Sequence, residues 1–97
     1  MEIEEIKEQV TAILKGELKG LPYSAFFFGS RIAGTASPVS DLDVGIEGQV
    51  PLPPGTLRSI KARCEALRTL YTIDIVDFSS TSEEFKKVAK VHIEKIL

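Results

Sequence analysis

Apolar residues recur every three or four positions from residue 2 to about residue 19, which predicts an amphipathic helix ended by Gly20 and Pro22. The same spacing returns after Thr56 and again after Thr81, so two further helices are predicted there. Thr81 and Glu84 have the spacing of a capping box. The apolar stripe of the last predicted helix is Phe85, Val88, Ala89, Ile93 and Ile96.

Three short apolar stretches are typical of β-strands rather than helices. They cover residues 24–28, 42–47 and 71–78, and each is bounded by residues that favour turns. The predicted element order is therefore helix, strand, strand, helix, strand, helix. This order predicts an α+β fold, in which a small mixed β-sheet has helices packed on it.

The composition narrows the class of protein. A length of 97 residues predicts a single domain, 1–97, and 43% hydrophobic with 27% charged residues is usual for a globular protein. The net charge of −2 argues against a broad phosphate-binding surface, so direct nucleic-acid binding is not expected. Cys64 is the only cysteine, no apolar run is long enough to span a membrane, and the first residues are acidic. We therefore expect a cytoplasmic location with no membrane partner.

Two carboxylates stand one residue apart where the second predicted strand begins. Side chains at alternate positions of a strand share a face, so Asp41 and Asp43 should lie side by side, opposite Leu42 and Val44. Adjacent like charges repel each other, and a divalent cation would relieve that repulsion. The pair alone is also compatible with a solvated strand edge or an acid in a turn.

A third carboxylate makes the metal hypothesis stronger. Asp74 lies between Ile73 and Ile75 in the third predicted strand, where an unpaired acid is costly. If the second and third strands are neighbours, Asp74 can join Asp41 and Asp43 on one face. Asp77 differs from Asp74 in parity, so it faces the other side and is expected to be exposed or to cap a turn. Three such carboxylates can hold two Mg²⁺ ions for in-line attack at phosphorus.

The turn after the first predicted strand suits a phosphate. Gly29 lets the backbone approach a phosphate closely, and Ser30 with the amides of a following helix start can cradle its oxygens. Arg31 can add positive charge there, although a surface arginine is the simpler alternative.

Gly29-Ser30, ten residues, Asp41-Leu42-Asp43 and then Ile73-Asp74-Ile75 together resemble the DNA polymerase β-like nucleotidyltransferase superfamily. The short chain and the wording Phe-Gly-Ser-Arg…Ser-Asp-Leu-Asp are similar to its minimal nucleotidyltransferase (MNT) branch, over most of the chain. The resemblance implies the polymerase β-like fold and transfer of a nucleoside monophosphate from ATP or another NTP. It also implies Mg²⁺ ligands at the three aspartates, which are Asp41, Asp43 and Asp74, and triphosphate contacts at Gly29 and Ser30.

One position departs from the MNT pattern. Many MNT sequences read Gly-Ser-Arg-x-Arg-Gly, whereas this chain has Ala33 in place of the second arginine. The change removes a basic group from the expected phosphate or partner contacts and leaves the predicted metal site intact.

The resemblance also implies a partner. MNT proteins are commonly paired with a small helical HEPN protein, an RNase toxin, which characterised members neutralise by adding AMP to a toxin tyrosine. The leading hypothesis is thus an adenylyltransferase antitoxin, with self-association left open. Two alternatives stay open: a non-catalytic module that neutralises its partner by contact, and a nucleotidyltransferase acting on a small molecule.

Overall fold

A computed structural model describes residues 2–29, 41–69 and 71–97 of the protein. The helices of these residues span Ile3–Glu17 (α1), Pro54–Glu65 (α2) and Glu83–Ala89 (α3). The strands span Ser24–Phe28 (β1), Leu42–Glu47 (β2), Ile73–Asp77 (β3) and Glu94–Lys95 (β4), and a 3₁₀ turn spans Phe78–Ser80. Within the described ranges, no helix has the length and apolar character needed to cross a membrane.

The four strands form one mixed sheet in the order β3-β2-β1-β4. β1 pairs antiparallel with both β2 and β4, whereas β2 and β3 are parallel. The predicted α+β architecture is confirmed, and the predicted bounds of β1 and β2 match the observed ones. The neighbouring position of β2 and β3 is the condition under which the acids of the two strands share a face.

One face of the sheet carries the main core, because α1 and α2 cover it. α1 buries an apolar stripe against the sheet, and its acidic first turn, with Glu4 and Glu5, suits the positive end of the helix dipole. Glu17 ties the two helices together, since its carboxylate accepts hydrogen bonds from Ser59 at 2.8 Å and Arg63 at 3.3 Å. The core residues supplied by the strands are Ala25, Phe27, Leu42, Val44, Ile46 and Ile75.

The opposite face of the sheet has a smaller aromatic cluster, formed by Phe26, Phe28 and Phe78. The ring of Phe78 meets those of Phe26 and Phe28 edge to face, with centroids 5.0 and 5.1 Å apart. This packing depends on Gly45, which lies beneath the cluster with no side chain of its own. A Cβ there would lie 2.5 Å from Phe26 Cε2 and 2.8 Å from Phe78 Cε1.

Two predicted helix starts were displaced. α2 begins at Pro54 rather than after Thr56, because a proline at the first helical position has the required φ and no amide to satisfy. α3 is capped by Ser82 rather than Thr81, since the Ser82 hydroxyl accepts the Phe85 amide hydrogen bond at 3.1 Å. The Thr81 hydroxyl instead donates to the Phe78 carbonyl.

The predicted extent of the last helix was wrong. α3 ends at Ala89, and Glu94–Lys95 turn back as β4 along the edge of β1 that β2 leaves open. Backbone groups at a strand edge need partners, and the amides of Ile96 and Leu97 donate to the Ala25 carbonyl at 2.8 and 3.0 Å. These strand pairings outweigh the helical spacing of the apolar residues.

Replacing Gly45 by Ala should destabilise the protein by about 1–3 kcal/mol, because the added methyl overlaps two buried rings. Gly55→Ala is the matched control, since a Cβ at Gly55, in the first turn of α2, meets nothing within 4 Å. Urea unfolding, with an unchanged m-value, gives the free energy of unfolding of each variant. Equal stabilities for the two variants would contradict the packing described for the aromatic cluster.

Candidate functional site

Asp43 and Asp74 lie at one end of β2 and β3, on the face of the sheet that carries the aromatic cluster. Asp43 of β2 and Asp74 of β3 are direct register partners. Neighbouring strands are about 4.8 Å apart, so the two side chains leave the sheet next to each other. Asp41 directly precedes β2 and is exposed, as is Asp74, whereas Asp43 is partly buried. The condition set by the sequence, that β2 and β3 are neighbours, is therefore met, and Asp43 and Asp74 share a face.

The electrostatics of Asp43 show that its carboxylate feels the negative charges of the other two acids. The pKa of Asp43 is raised above its usual 3.8, first by burial, then by the negative charge of Asp74, and then by that of Asp41. Ionised Asp43 is thus held in an unfavourable environment by its own fold. A cation placed among the three side chains would reverse that effect.

Gly29, which follows the neighbouring strand β1, lies next to the carboxylate of Asp43. It follows β1 with φ +86°, a conformation that favours glycine. A Cβ on Gly29 would overlap Oδ2 of Asp43 and lie 3.1 Å from its Cγ. The glycine is required both by the turn and by the close approach of Asp43. Ser30 and Arg31, the other predicted nucleotide contacts, lie outside the described residues, as does Ala33.

Asp77 has a structural role on the other face of the sheet, in accordance with its parity. Its carboxylate accepts hydrogen bonds from the amides of Ser79 and Leu52, both at 2.9 Å. The first bond caps the 3₁₀ turn, and the second fixes the connection that leads from β2 to α2. Of the two predicted alternatives for Asp77, exposure or a turn cap, the structure shows the cap, and both hydrogen bonds hold the scaffold together.

An aromatic rim formed by Phe28 and Phe85, which the sequence pattern does not indicate, borders the position of Asp43. Phe28 is the register partner of Asp43 on β1 and directly precedes Gly29. Phe85 of α3 packs on Phe28 and Phe78, yet its side chain stays 41% exposed. Helical spacing placed Phe85 in a core stripe; its nearness to the site follows from how α3 crosses the sheet, which spacing alone does not reveal.

The donor set suits a hard divalent cation, but the side chains do not form a closed cage. Across residues 2–29, 41–69 and 71–97, no three His, Cys, Asp or Glu side chains are grouped so that they could hold a metal ion. Mg²⁺ usually takes one or two carboxylates together with waters and substrate phosphates. The carboxylate chemistry therefore fits an open site that a phosphate ligand would complete.

The mixed sheet, the acids and the glycine turn can be compared with those of known proteins. Residues 8–96 match the family described as polymerase beta, nucleotidyltransferase, and the chain belongs to that family. It is 32% identical over 88 residues to the probable protein adenylyltransferase MntA of Haemophilus influenzae, a match that covers 89% of this chain and 77% of that protein.

Solved structures share the fold. One is a chain of a toxin–antitoxin crystal structure with AMP-PNP, with a TM-score of 0.71 at 20% identity, covering 94% of this chain and 72% of that one. Another is a chain from the structure of a tri-AMPylated Shewanella oneidensis HEPN toxin in complex with MNT antitoxin. It has a TM-score of 0.68 at 16% identity, and the match covers 97% of this chain and 71% of that one. The predicted polymerase β-like nucleotidyltransferase fold is confirmed.

Gly29→Ala should weaken MgATP binding about 10- to 100-fold, because the methyl turns the Asp43 carboxylate away from its position. Gly20→Ala is the matched control: Gly20 also has a positive φ, +77°, but a Cβ there meets nothing within 4 Å. Both variants should lose about 1–2 kcal/mol of stability from backbone strain. Titration calorimetry with MgATP separates them, and equal affinities would show that Gly29 matters only for the turn.

Proposed function

We propose that this protein is a Mg²⁺-dependent nucleotidyltransferase that moves AMP from ATP to a HEPN-family RNase toxin and so acts as its antitoxin. The observation that carries the proposal is the Asp43–Asp74 pair in register, with Asp41 close enough to raise the pKa of Asp43. Scaffold acids are normally paired with hydrogen-bond donors, as Asp77 is. Three mutually repelling acids instead suit a site for cations and phosphates.

The proposed reaction is an in-line displacement at the α-phosphorus of ATP. An acceptor hydroxyl oxygen forms a bond to that phosphorus, the bond to the β-phosphate oxygen breaks, pyrophosphate leaves and the hydroxyl proton passes to solvent. Asp41, Asp43 and Asp74 would hold the cations, two in number, which supply charge neutralisation at the attacking and leaving oxygens. Gly29 admits the triphosphate close to the backbone, and Ser30 and Arg31 are the proposed further contacts.

The acceptor is proposed from the relatives. The Haemophilus influenzae relative is named a probable protein adenylyltransferase, and the Shewanella structure pairs an MNT antitoxin with an AMPylated HEPN toxin. By extension, the acceptor here is a tyrosine on a small helical partner. Both proteins would act in the cytoplasm.

A second candidate function is neutralisation of the partner by contact alone. The observation that favours it is Ala33, which stands where many MNT sequences have a second arginine. Under this alternative the acids would not be needed for activity, so the two functions predict opposite results for the same variant.

The test is to incubate the protein with the product of the neighbouring gene, Mg²⁺ and ATP labelled at the α-phosphate. We expect label on the partner and a mass increase of one or more AMP units. Asp41→Asn combined with Asp43→Asn should lower the rate of AMP transfer at least about a hundredfold. The cations that neutralise the phosphates can then no longer bind. Intact-mass spectrometry and a toxicity assay are read in parallel.

Asp77→Asn is the control for the loss of a negative charge elsewhere in the protein, since Asp77 faces away from the site. The folded variant should transfer AMP at the wild-type rate. A double variant that still neutralises the toxin as well as wild type would establish contact as the mechanism. A partner that binds but gains no AMP would exclude adenylylation.

A further inference from the structure

Phe85 is exposed although two aromatic side chains hold it in place. Its ring lies 6.4 Å from that of Phe28 at an interplanar angle of 88°, and 5.5 Å from that of Phe78 at 51°. The Ser82 hydroxyl accepts its amide hydrogen bond, which anchors the backbone at the same point. A large aromatic ring that is anchored in this way and still 41% exposed offers a rigid apolar surface to a ligand.

That surface is continuous with the acids. Phe28 contacts the Phe85 ring, pairs with Asp43 across β1 and β2, and is followed directly by Gly29. Phe28 thus links the Phe85 ring to the strand position of Asp43 and to the glycine turn. A nucleotide whose phosphates lie at Gly29 and Asp43 has its base a short distance away, across the ribose.

We propose that Phe85 is the platform on which the nucleobase of the NTP substrate stacks. This rests on the proposed function, because it takes the phosphates to lie at the three acids. Base–aromatic stacking tolerates any base, since each has a π-face. Phe85 therefore contributes affinity and orientation of the α-phosphorus, and it leaves the choice between ATP and other NTPs to other contacts.

The chain contains no tryptophan, so a single one can report on stacking. Phe85→Trp should bind the nucleotide and show quenched fluorescence with Mg²⁺ and the α,β-methylene analogue of ATP, but not with Mg²⁺ and tripolyphosphate, which has no base. Val88→Trp is the matched control, because Val88 lies on the same helix and is 76% exposed but has no described contact with Phe28. Its fluorescence should not change with either ligand.

Phe85→Leu tests the affinity while keeping an apolar side chain on Phe28 and Phe78. It should weaken binding of the ATP analogue about tenfold and leave tripolyphosphate binding unchanged, whereas Phe85→Tyr should bind as wild type. Urea unfolding verifies that each variant is folded. The Michaelis constant for the partner protein should not change.

Three results would overturn the proposal: no quenching in Phe85→Trp, equal quenching in Val88→Trp, or unchanged analogue affinity in Phe85→Leu. A raised Michaelis constant for the partner alone would likewise overturn it, by assigning Phe85 to acceptor docking. Failure of the proposed function is distinguishable in the wild-type protein, which would then transfer no AMP or bind no ATP analogue, whereas failure of the stacking proposal alone would leave both intact.

Discussion

The structure depends on an unfavourable pairing: two aspartates, Asp43 and Asp74, face each other across parallel strands. Burial of Asp43 disfavours its ionised form, and the like charge of Asp74 adds to that cost. The rest of the sheet must supply the stability that this pair removes. It does so on the other face, where α1 and α2 bury the apolar residues of β1 and β2.

On the face that carries Asp43 and Asp74, two glycines leave room for the side chains around them. Gly29 removes a side chain that would collide with Asp43, and Gly45 removes one that would collide with the rings. The aromatic cluster then fills the remainder of the face and ends in an exposed ring at Phe85. One face of the sheet thus carries the main apolar core, and the other carries the acids and an exposed aromatic ring.

Much of this arrangement follows from strand alternation, which places Asp43 and Asp74 on one face and Asp77 on the other once β2 and β3 are neighbours. The class of fold and the bounds of two strands were likewise predictable, because they depend on local apolar patterns. β4 was not, since Glu94–Lys95 has no strand pattern and forms against the open edge of β1. The exposure of Phe85 also depends on tertiary packing, which helical spacing does not encode.

The most direct test measures the unfolding free energy of wild type and Asp43→Asn against pH, with Mg²⁺ or with Na⁺ at equal ionic strength. Because folding raises the pKa of Asp43, wild-type stability should fall as pH rises through the interval above 3.8 and stay reduced at neutral pH. Asp43→Asn should then be the more stable protein at neutral pH and lose that advantage in acid. Mg²⁺ should stabilise wild type and have less effect on Asp43→Asn. A less stable Asp43→Asn at neutral pH, with no effect of Mg²⁺ on wild type, would contradict a cation site at these aspartates.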